Sequence, residues 1–177
     1  MRKALLHRPE TAVDVFKLLP EGFYCQVINN VIYMSPAPSF LHQDVIAEIT
    51  MQIRLFTKKQ KLGTCLGAPV DVFLDKYNAF QPDILFISNQ NMDLIGKDGR
   101  VHGAPDLVVE VLSRSNANED RVKKRIVYER CGVKEYFIVA PETKEVISYY
   151  HTGKKYEKGA AQKGKIVSRM LKRTFKF

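Results

Sequence analysis

The spacing of apolar residues changes period several times along the chain, and each change marks an element. From Ser39, a candidate N-cap, the residues Val45, Ile46, Ile49, Ile53, Leu55 and Phe56 recur at near-helical intervals until the basic residues Lys58, Lys59 and Lys61 and then Gly63. That pattern predicts a long helix. The runs APVDVFL, QPDILFIS and PDLVVEVLS come next, each rich in Val, Ile, Leu or Phe and separated by Gly, Asn, Asp and Pro. They predict three strands. NANEDRVKKRIVYERCGV then returns to a helical signature, with Asn116 or Asn118 as N-cap, acids in the first turn, apolar Val122, Ile126 and Val127, and Gly132 as terminator. KEYFIVAP is apolar nearly throughout, as a strand covered on both faces would be, and EVISYYH continues as another strand.

Upstream, TAVDVFKLLP predicts a short helix from Thr11 that stops before Pro20. FYCQVINNVIYMSP predicts a β-hairpin turning at Asn29 and Asn30, which tolerate positive φ. GKKYEKGAAQKGK reads as a surface hairpin or loop, and the apolar-basic alternation of IVSRMLKRTFKF reads as an edge strand able to meet another subunit. The order is hairpin, helix, three strands, helix, strands, an α/β arrangement with no repeat or linker, so residues 1–177 are expected to form one domain.

Charge changes this picture in one respect. From Arg121 onward 16 Lys and Arg stand against 5 acidic residues, a balance of +11, whereas the first 120 residues hold 12 against 14, a balance of −2. A basic half suits a polyanion such as nucleic acid, and a solvated basic face is the plainer alternative. Cys25, Cys65 and Cys131 are odd in number and never form CxxC, so neither a disulfide framework nor a thiolate zinc site is expected. MRKALLHRPETAVDVF lacks the long apolar run of a leader, and no stretch approaches membrane-spanning length. A soluble, cytoplasmic protein with no membrane partner is expected.

The chemistry lies on two of the apolar runs. Asp83 in QPDILFIS and Glu110 in PDLVVEVLS each put a carboxylate on an apolar strand, which is costly to bury ionised unless a cation or hydrogen bonds compensate it. If the two strands are neighbours, both carboxylates emerge together, and the Val111 main-chain carbonyl offers a third oxygen for Mg²⁺ or Mn²⁺. Leu112, two positions after Glu110, excludes a lysine from that strand, but Lys124 reaches back from the following helix to steady charge on an oxyanion. On spacing alone, Asp120 and Lys124 read first as a surface i, i+4 ion pair worth about 0.3 to 0.5 kcal/mol. Asp106 reads as structural, a solvent-facing carboxylate or a turn residue at the start of its strand, and His42 as a residue that points at the site or caps locally. No phosphate-cradling glycine loop is present, and Ser113 and Ser115 lack a nucleophile elbow.

Taken together, PDLVVEVLS, then Asp120, Lys124 and Tyr128 at four-residue steps, then GVKEYFIVAP resemble the Uma-two family of restriction-endonuclease-like proteins, a branch of the PD-(D/E)XK nuclease superfamily. MSPAPSFLHQ, containing His42, and QPDILFI are similar to that family's upstream segments, so the resemblance runs from about Tyr24 to about Pro141. It implies a restriction-endonuclease-like αβββαβ core in which a mixed central sheet is flanked by helices. It further implies Asp83 and Glu110 as metal-binding carboxylates, the superfamily's lysine moved to Lys124, and Asp120 holding that lysine. His42, Gln26 and Tyr128 are pocket candidates, and Arg121, Lys123 and Arg125 candidates for the phosphate backbone. The family is commonly bacterial, and its members imply a Mg²⁺- or Mn²⁺-dependent endonuclease acting on DNA before RNA; a homodimer would match a duplex's twofold symmetry. In one place the chain departs from the pattern. Gln26 stands where the family usually has Glu, which favours a one-metal site and leaves a catalytically inactive nucleic-acid-binding or assembly module as the alternative.

Overall fold

The computed structural model describes residues 8–20, 22–113 and 118–177, and for residues 118–121 the backbone alone. The N-cap candidate Asn116, Ser115, and the side chains of Asn118, Asp120 and Arg121 therefore lie outside the described residues. Thr11 opens α1 (Ala12–Phe16) through a reciprocal capping box with Asp14. The hairpin β1 (Cys25–Ile28) and β2 (Val31–Met34) turns where predicted, with Asn29 and Asn30 at φ of +48° and +64°. The Ser39 hydroxyl accepts from the His42 amide at 3.3 Å and starts α2 (Phe40–Lys59).

Ten further strands build the rest: β3 (Gly63–Gly67), β4 (Val72–Asp75), β5 (Asn78–Phe80), β6 (Ile84–Ser88), β7 (Val101–His102), β8 (Leu107–Val111), β9 (Glu135–Val139), β10 (Glu145–His151), β11 (Tyr156–Lys158) and β12 (Gln162–Lys163). The α3 helix (Asn118–Cys131) crosses from β8 to β9, which pair in parallel, and it ends at Gly132 with φ +85°. The larger sheet runs β11-β10-β9-β8-β6-β3, with β12 also on β10. A smaller sheet runs β2-β1-β5-β4-β7. A final hairpin, β13 (Lys165–Ser168) with β14 (Arg173–Lys176), stands apart from both.

The core of α2, β3, β6, β8, α3 and β9 is the expected αβββαβ, but its first strand is not the expected one. APVDVFL supplies β4 of the smaller sheet, and the segment GTCLG before it pairs with β6 from Gly63↔Ser88 to Gly67↔Ile84. Two glycines and a threonine in five residues carry little apolar signal; it is the pairing that makes β3 a strand. Gly63 is needed there, because a Cβ at its φ of +148° would stand 2.1 Å from the Ile87 carbonyl oxygen. The C-terminal segment is likewise not an edge strand of either sheet. Its alternation builds the separate hairpin, whose Ile166 and Phe175 join the core under α2, with the Phe175 and Phe56 rings 5.7 Å apart.

Leu107, Val109 and Val111 of β8 pack toward α2, whereas Val108 packs toward α3 with Ile28 and Phe80 of the smaller sheet. By the period of two, Glu110 projects on the α3 side with Val108. The Leu55 predicted for the α2 stripe is exposed, so the stripe runs through His42, Val45, Ile46, Ile49 and Ile53. Asp106 is structural but buried. Its carboxylate accepts from the Ser88 amide (2.7 Å), Asn91 (2.7 Å) and Lys134 (2.6 Å), tying β6, the turn after it and β9 to the start of β8. Among the described residues, no helix is long and apolar enough to cross a membrane.

Candidate active site

The register of β6 against β8 pairs Ile84 with Val109, so Asp83, one residue before β6, comes opposite Glu110. The Val111 amide donates to Asp83 Oδ2 at 2.7 Å, and the Ala68 amide donates to the Asp83 carbonyl at 2.8 Å, which fix the aspartate at the end of β3. His42, in the first turn of α2, brings Nε2 to 2.9 Å from the Val111 carbonyl oxygen and 3.5 Å from Asp83 Oδ2.

The α3 helix supplies the third side of the site by reversing the usual pattern. Val122 and Ile126 face outward, while Lys124, only 6% exposed, and the fully buried Tyr128 face inward with Val127. Positions four apart lie one above the other on a helix. Lys124 Nζ accordingly donates to Glu110 Oε2 at 3.1 Å, and Tyr128 Oη donates to Glu110 Oε1 at 2.8 Å. A helix that turns an ammonium inward and two β-branched residues outward violates binary patterning, and such conflicts concentrate at functional sites.

Burial raises the pKa of Glu110, helped by the charge of Asp83 and opposed by Lys124 and Tyr128. For His42 burial works downward, but the hydrogen bond and charge of Asp83, then the Val111 carbonyl and Glu110, outweigh it and lift the imidazole above its ordinary value. His42 Nε2 carries a hydrogen in either state, since it faces a carbonyl oxygen. A second proton would sit on Nδ1, which is buried without a partner among the described residues. That geometry favours the neutral ring against the electrostatic trend.

Asp83, Glu110, Val111, His42, Lys124 and Gln26 all line one cavity of about 620 Å³. The loop Ser35–Ser39 and the first turn of α2 also line it, with Pro69, Ser113 and Glu142. Tyr128 is not in the wall but behind Glu110. Lys123 and Arg125 are also outside the described lining: the Lys123 ammonium lies 5.7 Å from the Tyr33 ring centre, and Arg125 sits 3.6 Å from Glu129 and over Tyr149. At roughly 0.3–0.5 kcal/mol, that half-exposed i, i+4 pair contributes little. Phe40 and Tyr24, exposed rings on the cavity wall, are not among the candidates the sequence motifs single out. Phe40 was detectable, since it falls outside the apolar phase of α2.

The described lining carries three carboxylates, Asp83, Glu110 and Glu142, against one ammonium. Among the described residues no three His, Cys, Asp or Glu side chains converge into a metal cluster. The available hard donors are Asp83, Glu110 and the second lone pair of the Val111 carbonyl, a set that fits an ion which keeps several of its waters, as Mg²⁺ does. A phosphate would be repelled by such a wall without a cation to neutralise it.

Comparison with known proteins agrees with this architecture. A family model described as "Putative restriction endonuclease", Uma2, matches residues 13–172. A solved structure of a "putative nuclease belonging to DUF820" from Anabaena variabilis superposes with a TM-score of 0.70, covering 87% of this chain and 83% of that one at 18% identity. At that identity the likeness establishes the fold, a restriction-endonuclease-like one. No curated protein matches the chain.

Proposed function

The chain belongs to the Uma2 family, and from that premise we propose that it is a divalent-metal-dependent nuclease with a one-metal site. The observation that supports this reading is the meeting of Asp83, Glu110 and Lys124 in one cavity, although they come from two strands and a helix. Asp83, Glu110 and the Val111 carbonyl would hold Mg²⁺ or Mn²⁺, which when bound supplies Lewis-acid stabilisation of phosphoryl charge and a more acidic water. Lys124, 3.1 Å from Glu110, would offer its ammonium to an attacking water or a developing oxyanion. Tyr128 fixes the rotamer of Glu110 from behind, and His42 orients the Val111 carbonyl. Incubating the protein with plasmid and single-stranded DNA under Mn²⁺ tests the proposal. Cleavage should exceed that of Asp83→Ala, and parity with that variant refutes turnover.

One observation favours a second reading. Gln26 lines the cavity as a neutral amide, and a nuclease scaffold missing one carboxylate could retain nucleic-acid binding after losing catalysis. Calorimetry separates the two: absence of Mn²⁺ binding together with salt-sensitive DNA binding selects the second.

A further inference from the structure

Phe40, 87% exposed, is the first residue of α2, and Tyr24, 47% exposed, immediately precedes β1; both line the cavity that contains Asp83 and Glu110. Leu41, 40% exposed, lies beside them, with Pro36 and Pro38 in the same wall. Packing does not account for these residues. The buried stripe of α2 is on another phase, and among the described residues Phe40 enters none of the ring contacts that organise the molecule. Rigid aromatic and proline surface held open beside a polar site is characteristic of binding sites.

The charge of the wall limits what can occupy it. Duplex DNA is held through many phosphates, with Lys and Arg supplying most of the neutralising charge. Among the described residues of the lining Lys124 is the one Lys or Arg, set against three carboxylates, so the feature that distinguishes this wall is its exposed rings and not a track of cations. Unpaired nucleotides expose π-faces that stack on aromatic side chains, a contact every base can make.

We infer that Phe40 and Tyr24 form a stacking platform for an unpaired nucleobase, so that the substrate presented to Asp83 and Glu110 is single-stranded nucleic acid or the unpaired part of a branched one. This deepens the nuclease reading and rests on it for the location of the phosphate. Phe40 is a specificity-determining residue here; it touches the base and not the reacting atoms.

Fluorescence anisotropy of the full chain tests the inference. The probes are a labelled oligothymidylate and an oligouridylate of about 15 nucleotides, within the span of single-strand sites, and a blunt duplex of equal length. The measurement uses the wild-type chain with Ca²⁺ in place of Mg²⁺, so that every proposed oxygen donor is kept, and each probe is checked to be intact after the reading. A single strand should bind at least about 10-fold tighter than the duplex. Phe40→Leu, apolar but without a π-face, should weaken single-strand binding by about 5- to 150-fold, as loss of one stacked base does. Phe40→Trp should restore it, and duplex affinity should not move. The oligothymidylate and oligouridylate arms show whether the strand is DNA or RNA. Equal affinity for strand and duplex, a Phe40→Leu variant that binds as tightly as its parent, or no binding of any probe would overturn the inference. Because binding is read without turnover, a wild-type protein that cleaves nothing yet shows this pattern refutes the nuclease proposal alone. Duplex cleavage indifferent to Phe40 refutes the platform alone.

Discussion

Replacing Lys124 by Met isolates what the inward-facing ammonium does. Methionine matches its length and fills the space against Phe80, whose ring centre is 5.8 Å from Nζ, but it leaves Glu110 with Tyr128 as its one side-chain donor among the described residues. Breaking a buried ion pair by removing one partner costs roughly 3–5 kcal/mol, because the remaining charge stays desolvated. For a domain of this size that is a fall in Tm on the order of 10 °C. In Glu110→Gln/Lys124→Met neither charge remains, and an amide oxygen can still accept from Tyr128. The double variant should therefore lie within about 1.5 kcal/mol of wild type, as replaced ion pairs often do. Urea unfolding in EDTA near neutral pH, with all four corners of the cycle, measures the coupling. A Lys124→Met penalty below about 1 kcal/mol, or additivity within about 0.5 kcal/mol, would refute the claim that Lys124 compensates Glu110. Acid should shrink the penalty, since Glu110, already raised in pKa by burial, escapes it by taking up a proton.

Two further predictions concern the scaffold. Burial pushes the Asp106 pKa up, but Lys134, Ser88 and Asn91 outweigh it and hold the carboxyl below its ordinary value. A depressed carboxylate contributes stability that is complete above the unfolded value, about pH 4, and is lost as pH falls through the folded one. Asp106→Asn should be less stable at neutral pH and lose less on acidification below pH ~4 than wild type, read from urea midpoints along a pH series; parallel acid limbs would reject that role. Gly63→Ala has to move β3 off the Ile87 carbonyl that its Cβ would meet at 2.1 Å, and should destabilise by about 3 kcal/mol or more by the same measurement. A loss under 1 kcal/mol would show that the strand shifts at little cost.

Residue order alone determined the long helices, the strands with continuous apolar runs, the hairpin turn at Asn29–Asn30 and the two carboxylates of interest. These features are local: apolar period sets the phase of an element, and turn and cap residues set its ends. Asp83 and Glu110 stood out because a charge within an apolar run is costly wherever that run is buried. Tertiary structure decided the remainder. It made a strand of GTCLG, sent APVDVFL to the smaller sheet and folded the C-terminus into its own hairpin, since sheet membership is settled by distant partners and not by five residues of pattern. It also turned Lys124 and Tyr128 of α3 inward and left Val122 and Ile126 outside. The phase of Val122 and Ile126 predicts the reverse, and the inward ammonium has its partner in Glu110, which only the fold brings across the gap.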